Sequence, residues 1–199
     1  MNRLQELVEQ IRKLEKELYA EIQKKQDEFY YRIKGRRVYF EEATRQYHKT
    51  LVIRIRTYLR QSSLPNLISA PFIWACLLPA IFLDLVVSIY HSVCFRLYDI
   101  PLVKRSEYVV IDRQALTYLN FIEKINCTYC GYFNGLIAYV MEIAARTEQY
   151  WCPIKHARKR ASFHSRYLKF LEYGDAAGFR EKIEVVRRDF KDLEEEKNE

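Results

Sequence analysis

The strongest constraint on the fold is a long apolar stretch in the first half of the chain, LPNLISAPFIWACLLPAIFLDLVVSIYHSVCF at residues 64–95. No charged residue falls within 67–83, and none falls within 85–95. A helix that spans a membrane needs about 20 mainly apolar residues. A chain of 199 residues has little interior in which to bury a helix of this length that lacks a charged face. We therefore predict a membrane-inserted segment at 64–96.

A carboxylate and several prolines interrupt the apolar stretch. Asp84 stands inside it, and Pro71 and Pro79 favour a kink or a turn because proline lacks the N–H that a helix requires. An ionised Asp at the bilayer centre costs about 2.5–3.5 kcal/mol, which the neighbouring aliphatic residues offset. We interpret Asp84 either as the turn of a re-entrant hairpin or as a polar contact within an oligomer. A re-entrant hairpin and a single transmembrane helix are therefore both compatible with the sequence.

Basic residues flank the apolar stretch on both sides, and the net charge of the chain is +7. A hairpin that enters the cytoplasmic leaflet and returns would place both flanks against anionic headgroups. We predict a membrane-associated protein with most of its mass in the cytoplasm, at the inner membrane if the source is bacterial. The residues expected to contact lipid or another anion are Arg54, Arg56, Arg60, Lys155, Arg158, Lys159 and Arg160.

The low content of turn-forming residues, with only 5 Gly and 5 Pro, predicts a mainly α fold. Residues 1–34 are predicted to be a coiled-coil arm, because apolar groups recur at heptad spacing at Leu4, Val8, Ile11, Leu18, Ile22 and Phe29. Residues 4–29 would then pair with a second copy or with another protein. The alternative is a single helix packed on the rest of the chain. Gly35 marks a break, and residues 36–63 are predicted to be a basic amphipathic helix.

Three of the five cysteines and one of the four histidines form a Cys-x2-Cys and a Cys-x3-His pair, at Cys127, Cys130, Cys152 and His156. Thiolates and imidazoles in such pairs are the ligands of tetrahedral zinc. The charged N-terminal sequence lacks the apolar core of a signal peptide, which favours reduced thiols or metal ligands over disulfides. We predict a structural Cys3His zinc site, with an iron–sulfur cluster as the alternative metal centre.

The first pair, with Gly131 after its second thiol, resembles a zinc knuckle, the tight turn of treble-clef and ribbon zinc modules. Those modules place a β-hairpin between the two pairs, whereas residues 135–151 have a helical composition. Asn134 is their expected cap, and Glu142 lies four residues before Arg146. We therefore predict a helical unit at 113–174 that a metal ion clamps at its ends.

This unit is expected to begin with a helix at 113–125 that Asp112 caps, and to end with a basic helix from Pro153 to Tyr173 that places His156 on one face with Cys152. The stretch RTEQYWCPIKH at 146–156 is similar to that of an uncharacterised group of bacterial membrane-associated proteins. That resemblance implies no particular activity. Residues 97–112 are predicted to be a surface linker, and 175–199 a helix capped by Asp175 that ends in an acidic tail.

The sequence lacks the motifs of the common catalytic sites, including a Gly-rich phosphate loop, Gly-x-Ser-x-Gly and His-Glu-x2-His. No catalytic residue is therefore assigned. We expect a zinc-binding scaffold or interaction subunit at the membrane that faces the cytosol. The alternatives are a redox or electron-transfer protein that uses the cysteine cluster and a nucleic-acid adaptor that uses the basic residues after His156.

Overall fold

The protein is mainly helical, as predicted, and carries one small β-hairpin. The computed structural model describes residues 3–195, with the side chains of residues 6, 7 and 9–193. In this part of the chain the α-helices are α1 (Arg3–Glu28), α2 (Glu42–Thr50), α3 (Ile55–Gln61), α4 (Leu64–Ala75), α5 (Leu77–Leu97), α6 (Arg105–Tyr108), α7 (Phe121–Trp151), α8 (Ala176–Val186) and α9 (Lys191–Glu195). The strands are β1 (Tyr31–Lys34) and β2 (Arg37–Phe40), and two short 3-10 turns lie at Arg113–Ala115 and Tyr167–Lys169.

The chain divides into two compact units. One comprises the chain up to Ser62 together with Asp112–Thr128, and the other comprises Ser63–Ile111 and Tyr129–Glu199. We call them the hairpin unit and the apolar-helix unit. Helix α7 contributes its first residues to the hairpin unit and the remainder to the apolar-helix unit.

The hairpin unit contains α1, the two strands, α2 and α3. The strands pair antiparallel, from Tyr31 opposite Phe40 to Lys34 opposite Arg37. Gly35 in the connecting turn has a φ of +60°, a conformation that glycine adopts without steric cost. The predicted break at Gly35 is thus confirmed, but the continuous helix expected at 36–63 is wrong. Residues 37–40 form a strand, and the β-branched pair Val52 and Ile53 lies in the non-helical gap between α2 and α3.

Helix α1 is confirmed, but its described side chains do not pack on the rest of the chain. Every described side chain in α1 except that of Gln26 is exposed. The exposed apolar residues of this helix are Leu7, Ile11, Leu14, Leu18, Tyr19 and Ile22. Leu4 and Val8 of the predicted heptad lie outside the described side chains. The described apolar side chains of α1 therefore remain exposed within the hairpin unit.

The core of the apolar-helix unit lies between α5 and α7. Phe95 of α5 and Leu136 of α7 are fully buried, and Ile100 and Val103 of the following segment are 4% and 5% exposed. The Nε2 atom of His91 accepts a hydrogen bond of 2.9 Å from the Val103 N–H. The prediction of a surface linker at 97–112 is therefore wrong for its first half, which is part of the core.

Two glycines of α7 allow the chain after α6 to approach the helix closely. A Cβ atom on Gly135 would lie 2.5 Å from the Tyr108 carbonyl oxygen, and one on Gly131 would lie 3.0 Å from the Val110 carbonyl oxygen. The two glycines are four residues apart and therefore share one helix face. Gly131 thus has a packing role in a helix and does not relax a metal-binding turn.

Helix α7 begins later than predicted and continues much further. Asn120 and Glu123 form a reciprocal cap, in which each backbone N–H donates to the other side chain at 2.8 and 3.1 Å. Asp112 makes no side-chain capping bond and precedes only a 3-10 turn. Asn134 is likewise no cap: it lies inside α7, where its side chain donates to the Cys130 carbonyl at 3.0 Å. The helices predicted at 113–125 and 135–151 are therefore replaced by one helix.

The segment after α7 is irregular, and the helix predicted from Pro153 to Tyr173 is wrong. Helix α7 ends at Trp151 because Cys152 precedes a proline and is disfavoured in helical geometry. Lys155 N–H donates to the Leu171 carbonyl and Leu171 N–H donates to the Pro153 carbonyl, both at 2.8 Å. The predicted cap at Asp175 is confirmed, since its carboxylate accepts the Gly178 N–H at 2.9 Å. Residues 196–199 of the acidic tail lie outside the described residues.

We expect Gly135→Ala to lower the free energy of unfolding by about 1–3 kcal/mol, because the added methyl group overpacks against the Tyr108 backbone. Gly131→Ala should cost less, since a shift of a few tenths of an ångström relieves its contact. Denaturant unfolding of both variants in detergent measures the difference. A Gly135→Ala protein that is as stable as the native one would contradict this packing, because alanine is by itself favoured in a helix by about 1 kcal/mol.

Candidate functional site

The most distinctive surface of the apolar-helix unit is the exposed apolar helix formed by α4 and α5. Leu64–Leu97 has a mean hydropathy of 2.3 in its most apolar window, and only 6% of that window is buried within the chain. In the described residues it is the one helix that is long and apolar enough to cross a membrane. Its most exposed side chains include Phe72, Leu78, Phe82 and Leu97, each of which is 68% exposed or more. Most of this surface is exposed in the part of the chain that the structure describes.

The helix is interrupted only at Cys76. Pro79 has no N–H to donate to the carbonyl of residue 75, and its ring crowds that carbonyl. Helix α4 accordingly ends at Ala75, and α5 begins at Leu77. Cys76 itself keeps helical angles, with φ of −63° and ψ of −15°. Asp84 lies inside α5, so the interpretation of this residue as the turn of a hairpin is wrong.

Asp84 is paired within its own unit. Its carboxylate accepts hydrogen bonds from Arg105 Nη2 at 2.6 Å, from the Tyr132 hydroxyl at 3.0 Å and from Ser88 Oγ at 3.2 Å. The side chain of Asp84 is 17% exposed. A guanidinium and two hydroxyl groups thus satisfy the one carboxylate of the apolar helix, which reduces the cost of placing it in a medium of low dielectric constant.

The residues predicted to contact anions differ in their exposure and in whether they form contacts within the chain. Arg54, Arg56 and Arg60 are exposed at and within α3, and Arg158 and Lys159 are exposed in the irregular segment after α7. Lys155 instead pairs with Glu172, and the Arg160 guanidinium lies 5.9 Å from the Tyr167 ring centre. The charges at 155–160 therefore do not form the basic helix that the sequence predicted.

The structure does not bring the four predicted zinc ligands together. Cys127 and Cys130 lie inside α7, and Cys152 follows its last residue. Along a helix that rises 1.5 Å per residue, Cys130 and Cys152 are roughly 33 Å apart, whereas zinc holds each thiolate at about 2.3 Å. The knuckle-like spacing is here the spacing of two side chains on consecutive turns of one helix. These residues do not fit one tetrahedral ion, and the described residues contain no other group of His, Cys, Asp or Glu arranged to hold a metal.

His156 instead belongs to a small cluster with Glu148 and His164. The Nε2 atoms of His156 and His164 lie 3.8 and 3.0 Å from the Glu148 carboxylate. Nδ1 of His164 accepts the Arg166 N–H at 3.2 Å, so the proton of the neutral ring is on Nε2 and no lone pair there is available to a metal. Burial lowers the pKa of His164 and outweighs the opposing effect of Glu148.

A buried arginine, which the sequence did not single out, organises the segment that follows α7. Arg166 is 2% exposed and donates to Gln149 Oε1 at 2.6 Å, to the Asp189 carbonyl at 3.0 Å and to Asp192 Oδ2 at 2.5 Å. Lys169 also donates to Asp192, at 2.7 Å. This arginine cluster joins α7, the irregular segment and α9. The only sequence signal for this cluster is that a polar residue, Gln149, occupies a position of α7 that faces the interior.

Glu142 makes the other polar contact between α7 and this segment. The predicted pair with Arg146 is confirmed at 2.8 Å, and both side chains are only 9% exposed. Ser165 Oγ donates to the same carboxylate at 2.6 Å. Arg146 also donates to the Pro101 carbonyl at 2.8 Å. The predicted pair therefore lies in the interior and connects three segments.

The arginine cluster predicts a specific acid sensitivity. Burial alone would raise the pKa of Asp192, but hydrogen bonds from Arg166 and Lys169 outweigh it and lower the pKa from 3.8 to about 2. A carboxyl whose folded pKa is lowered stabilises the fold above its unfolded pKa, and this contribution disappears as the pH falls from 3.8 towards 2. We expect Asp192→Asn to reduce stability at neutral pH and to flatten the loss between those pH values.

Unfolding measured across this pH range checks the expectation, with Asp27→Asn as the control because it removes one exposed carboxylate from the hairpin unit. The control should keep the native acid profile. An Asp192→Asn protein with an unchanged profile would show that this carboxylate does not hold α9.

Comparisons with known proteins give no match, since no family model, no curated protein and no solved structure is significantly similar to the chain. The resemblance of residues 146–156 to bacterial membrane-associated proteins therefore stays a prediction, and the function is inferred from the residues and contacts above.

Proposed function

We propose that the protein is a membrane-anchored scaffold or interaction subunit. The observation that carries the proposal is the apolar helix Leu64–Leu97, which is long enough to cross a bilayer and has only 6% of its most apolar window buried within the chain. A soluble protein rarely exposes an apolar surface of this extent. Lipid chains would cover it at no cost in hydrogen bonding, because the backbone of a helix is already paired.

The contacts of Asp84 support this role. The carboxylate binds Arg105 at 2.6 Å, so the pair enters the membrane as a neutral unit and not as a lone anion. Basic residues flank the helix on both sides, and they suit contact with anionic headgroups where the helix leaves the bilayer.

The interaction role rests on α1. Its exposed apolar residues Leu7, Ile11, Leu14 and Leu18 are spaced four, three and four residues apart, the spacing of a coiled-coil seam. An isolated helix with such a stripe is marginally stable in water, and pairing buries the stripe. We propose that a second copy of the same helix is the partner, because the stripe is flanked by both Lys and Glu and is therefore not biased towards an acidic or a basic protein.

The alternatives have less support. The proposal omits the predicted zinc ion because its four ligands are not together. A redox pair needs a stabilised thiolate, typically at a helix N-terminus, whereas Cys127 and Cys130 lie in the interior of α7, which begins at Phe121. A nucleic-acid adaptor needs a continuous basic surface with stacking rings, and Lys155 and Arg160 are engaged within the chain.

Adding charge to the exposed face of the apolar helix should release the protein from membranes. Each Lys introduced by Phe82→Lys and Ile89→Lys costs about 2.5–3.5 kcal/mol at the centre of a bilayer. Both native side chains are exposed, at 68% and 58%, so the double variant should still fold. The measurement is the membrane-pelleted fraction after an alkaline wash.

Val185→Lys is the matched control, because Val185 is 71% exposed on α8, outside the apolar helix. The control should pellet like the native protein. A native chain that stays soluble and monodisperse without detergent would refute the proposal.

Adding charge to the α1 stripe should separate the copies. Ile11→Lys with Leu18→Lys places two cations in the seam and should shift the protein from oligomer to monomer, as measured by light scattering in detergent. Ala20→Lys with Gln23→Lys adds the same charge to the opposite face and should leave the oligomer intact. A native protein that is already monomeric would remove self-association from the proposal.

A further inference from the structure

A basic cavity lies directly after the last residue of the apolar helix. It has a volume of about 540 Å³ and lies between the end of α5, residues 98–101, Tyr150 of α7 and the start of α9. The cavity is a separate feature from the residues that the sequence predicted to contact anions. Volumes of this size are typical of small-molecule sites.

The charges that line the cavity favour an anion. Arg187, Arg188 and Lys191 face it against one carboxylate, that of Asp99. Arg188 and Lys191 are exposed, and neither forms an ion pair with a described side chain. Asp189 and Asp192, which alternate with them in the sequence, are instead bound by Lys169 and Arg166. Asp189 and Asp192 are therefore held by cations outside the cavity lining. With Arg187 paired to Glu184, the two free cations still outnumber the one carboxylate of Asp99.

Arg187 is held in place but is not fully satisfied. Its guanidinium lies 5.6 Å from the Tyr150 ring centre, and Nη1 is 3.1 Å from the Glu184 carboxylate. Its Nε atom is buried and has no hydrogen-bond partner. A buried donor without a partner costs stability unless something binds it. The guanidinium is thus fixed beside two exposed cations, Arg188 and Lys191.

The remaining walls are aromatic and apolar. Tyr98 and Tyr150 stack at 5.0 Å, and Phe190 is 5% exposed. Leu97, Ile100 and Pro101 complete the lining. This combination of an apolar wall and a cationic rim suits a molecule with an anionic group and an adjoining carbon skeleton.

We propose that this cavity binds the phosphate group of an anionic phospholipid, with Arg187, Arg188 and Lys191 around the phosphate. The source of the phosphate follows from position: Leu97 ends the apolar helix, so a helix in the bilayer brings the cavity to the level of the headgroups. This lipid source rests on the proposed membrane anchoring, whereas the phosphate chemistry rests on the cavity alone.

The test uses the full chain with Trp74→Phe, which leaves Trp151 as the sole tryptophan of the two. Trp151 contacts both Tyr98 and Tyr150 edge-on, at 5.4 Å each, so its emission should respond to occupation of the cavity. The protein is reconstituted in phosphatidylcholine nanodiscs with a rising fraction of phosphatidylglycerol. In a second arm, inorganic phosphate is titrated at constant ionic strength without phosphatidylglycerol.

The decisive comparison is between two variants that each remove two exposed cations. Arg188→Gln with Lys191→Gln should raise the half-saturating phosphatidylglycerol fraction roughly tenfold or more, since each cation near the surface contributes to lipid affinity. Arg180→Gln with Lys182→Gln, two exposed cations of α8 outside the cavity lining, should change it less than about twofold. Equal effects of the two variants, or an emission that does not saturate, would overturn the proposal.

The two arms separate the sources of phosphate. In the second arm, the emission could saturate with inorganic phosphate, and the cavity variant could weaken this binding. That result would overturn the lipid source and would uphold the phosphate site. A chain that fails to enter neutral nanodiscs would refute membrane anchoring and the lipid source together. In that case the phosphate arm still decides whether the cavity takes the anion.

Discussion

The arrangement of the apolar-helix unit depends on the neutralisation of Asp84. A helix of this hydropathy tolerates a carboxylate only if cations and hydroxyl groups reach it, and these come from two different segments, Arg105 in α6 and Tyr132 in α7. The segment that carries Arg105 must therefore lie along α5 and against α7 at the same time. The close approach at Gly135 makes this possible, because any larger residue would meet the Tyr108 carbonyl at 2.5 Å. Burial of Ile100 and Val103 then follows from the path that the segment takes.

At the C-terminal end of α7 a second buried polar group, Arg166, likewise fixes the path of a neighbouring segment. The segment from Cys152 to Arg166 has little regular structure, so its backbone cannot be held by a helix or a sheet. Arg166 supplies the missing contacts by binding Gln149, Asp192 and a backbone carbonyl from one guanidinium. A buried arginine of this kind contributes little net stability compared with apolar packing, but leaving any partner unbound is costly. Its effect is to select one arrangement of the segment and of α9.

The sequence predicts those parts of the protein whose signals are local and repeated. The apolar helix, α1, the Asp175 cap and the Glu142–Arg146 pair all follow from composition, periodicity or spacing. The zinc site illustrates why the rest does not. A Cys-x2-Cys pair has the same spacing in a tight turn and on a helix, and the deciding signal lies upstream, where the Asn120 and Glu123 cap starts a helix that nothing before Pro153 interrupts. The roles of Gly135 and Arg166 depend on contacts with residues that are distant in sequence. A single sequence does not reveal such contacts.

The proposed membrane anchoring would also lower the affinity that α1 needs for its partner. A helix of 26 residues is roughly 39 Å long, enough for more than three heptads, but its described stripe is interrupted by Glu21 and Lys25 and should pair weakly in free solution. Chains held in one bilayer meet at a much higher effective concentration, and a weak contact then suffices for association. The same confinement applies to the cavity after α5, where a lipid headgroup need not be captured from dilute solution. Modest affinity at both proposed surfaces is therefore consistent with the proposed membrane anchoring.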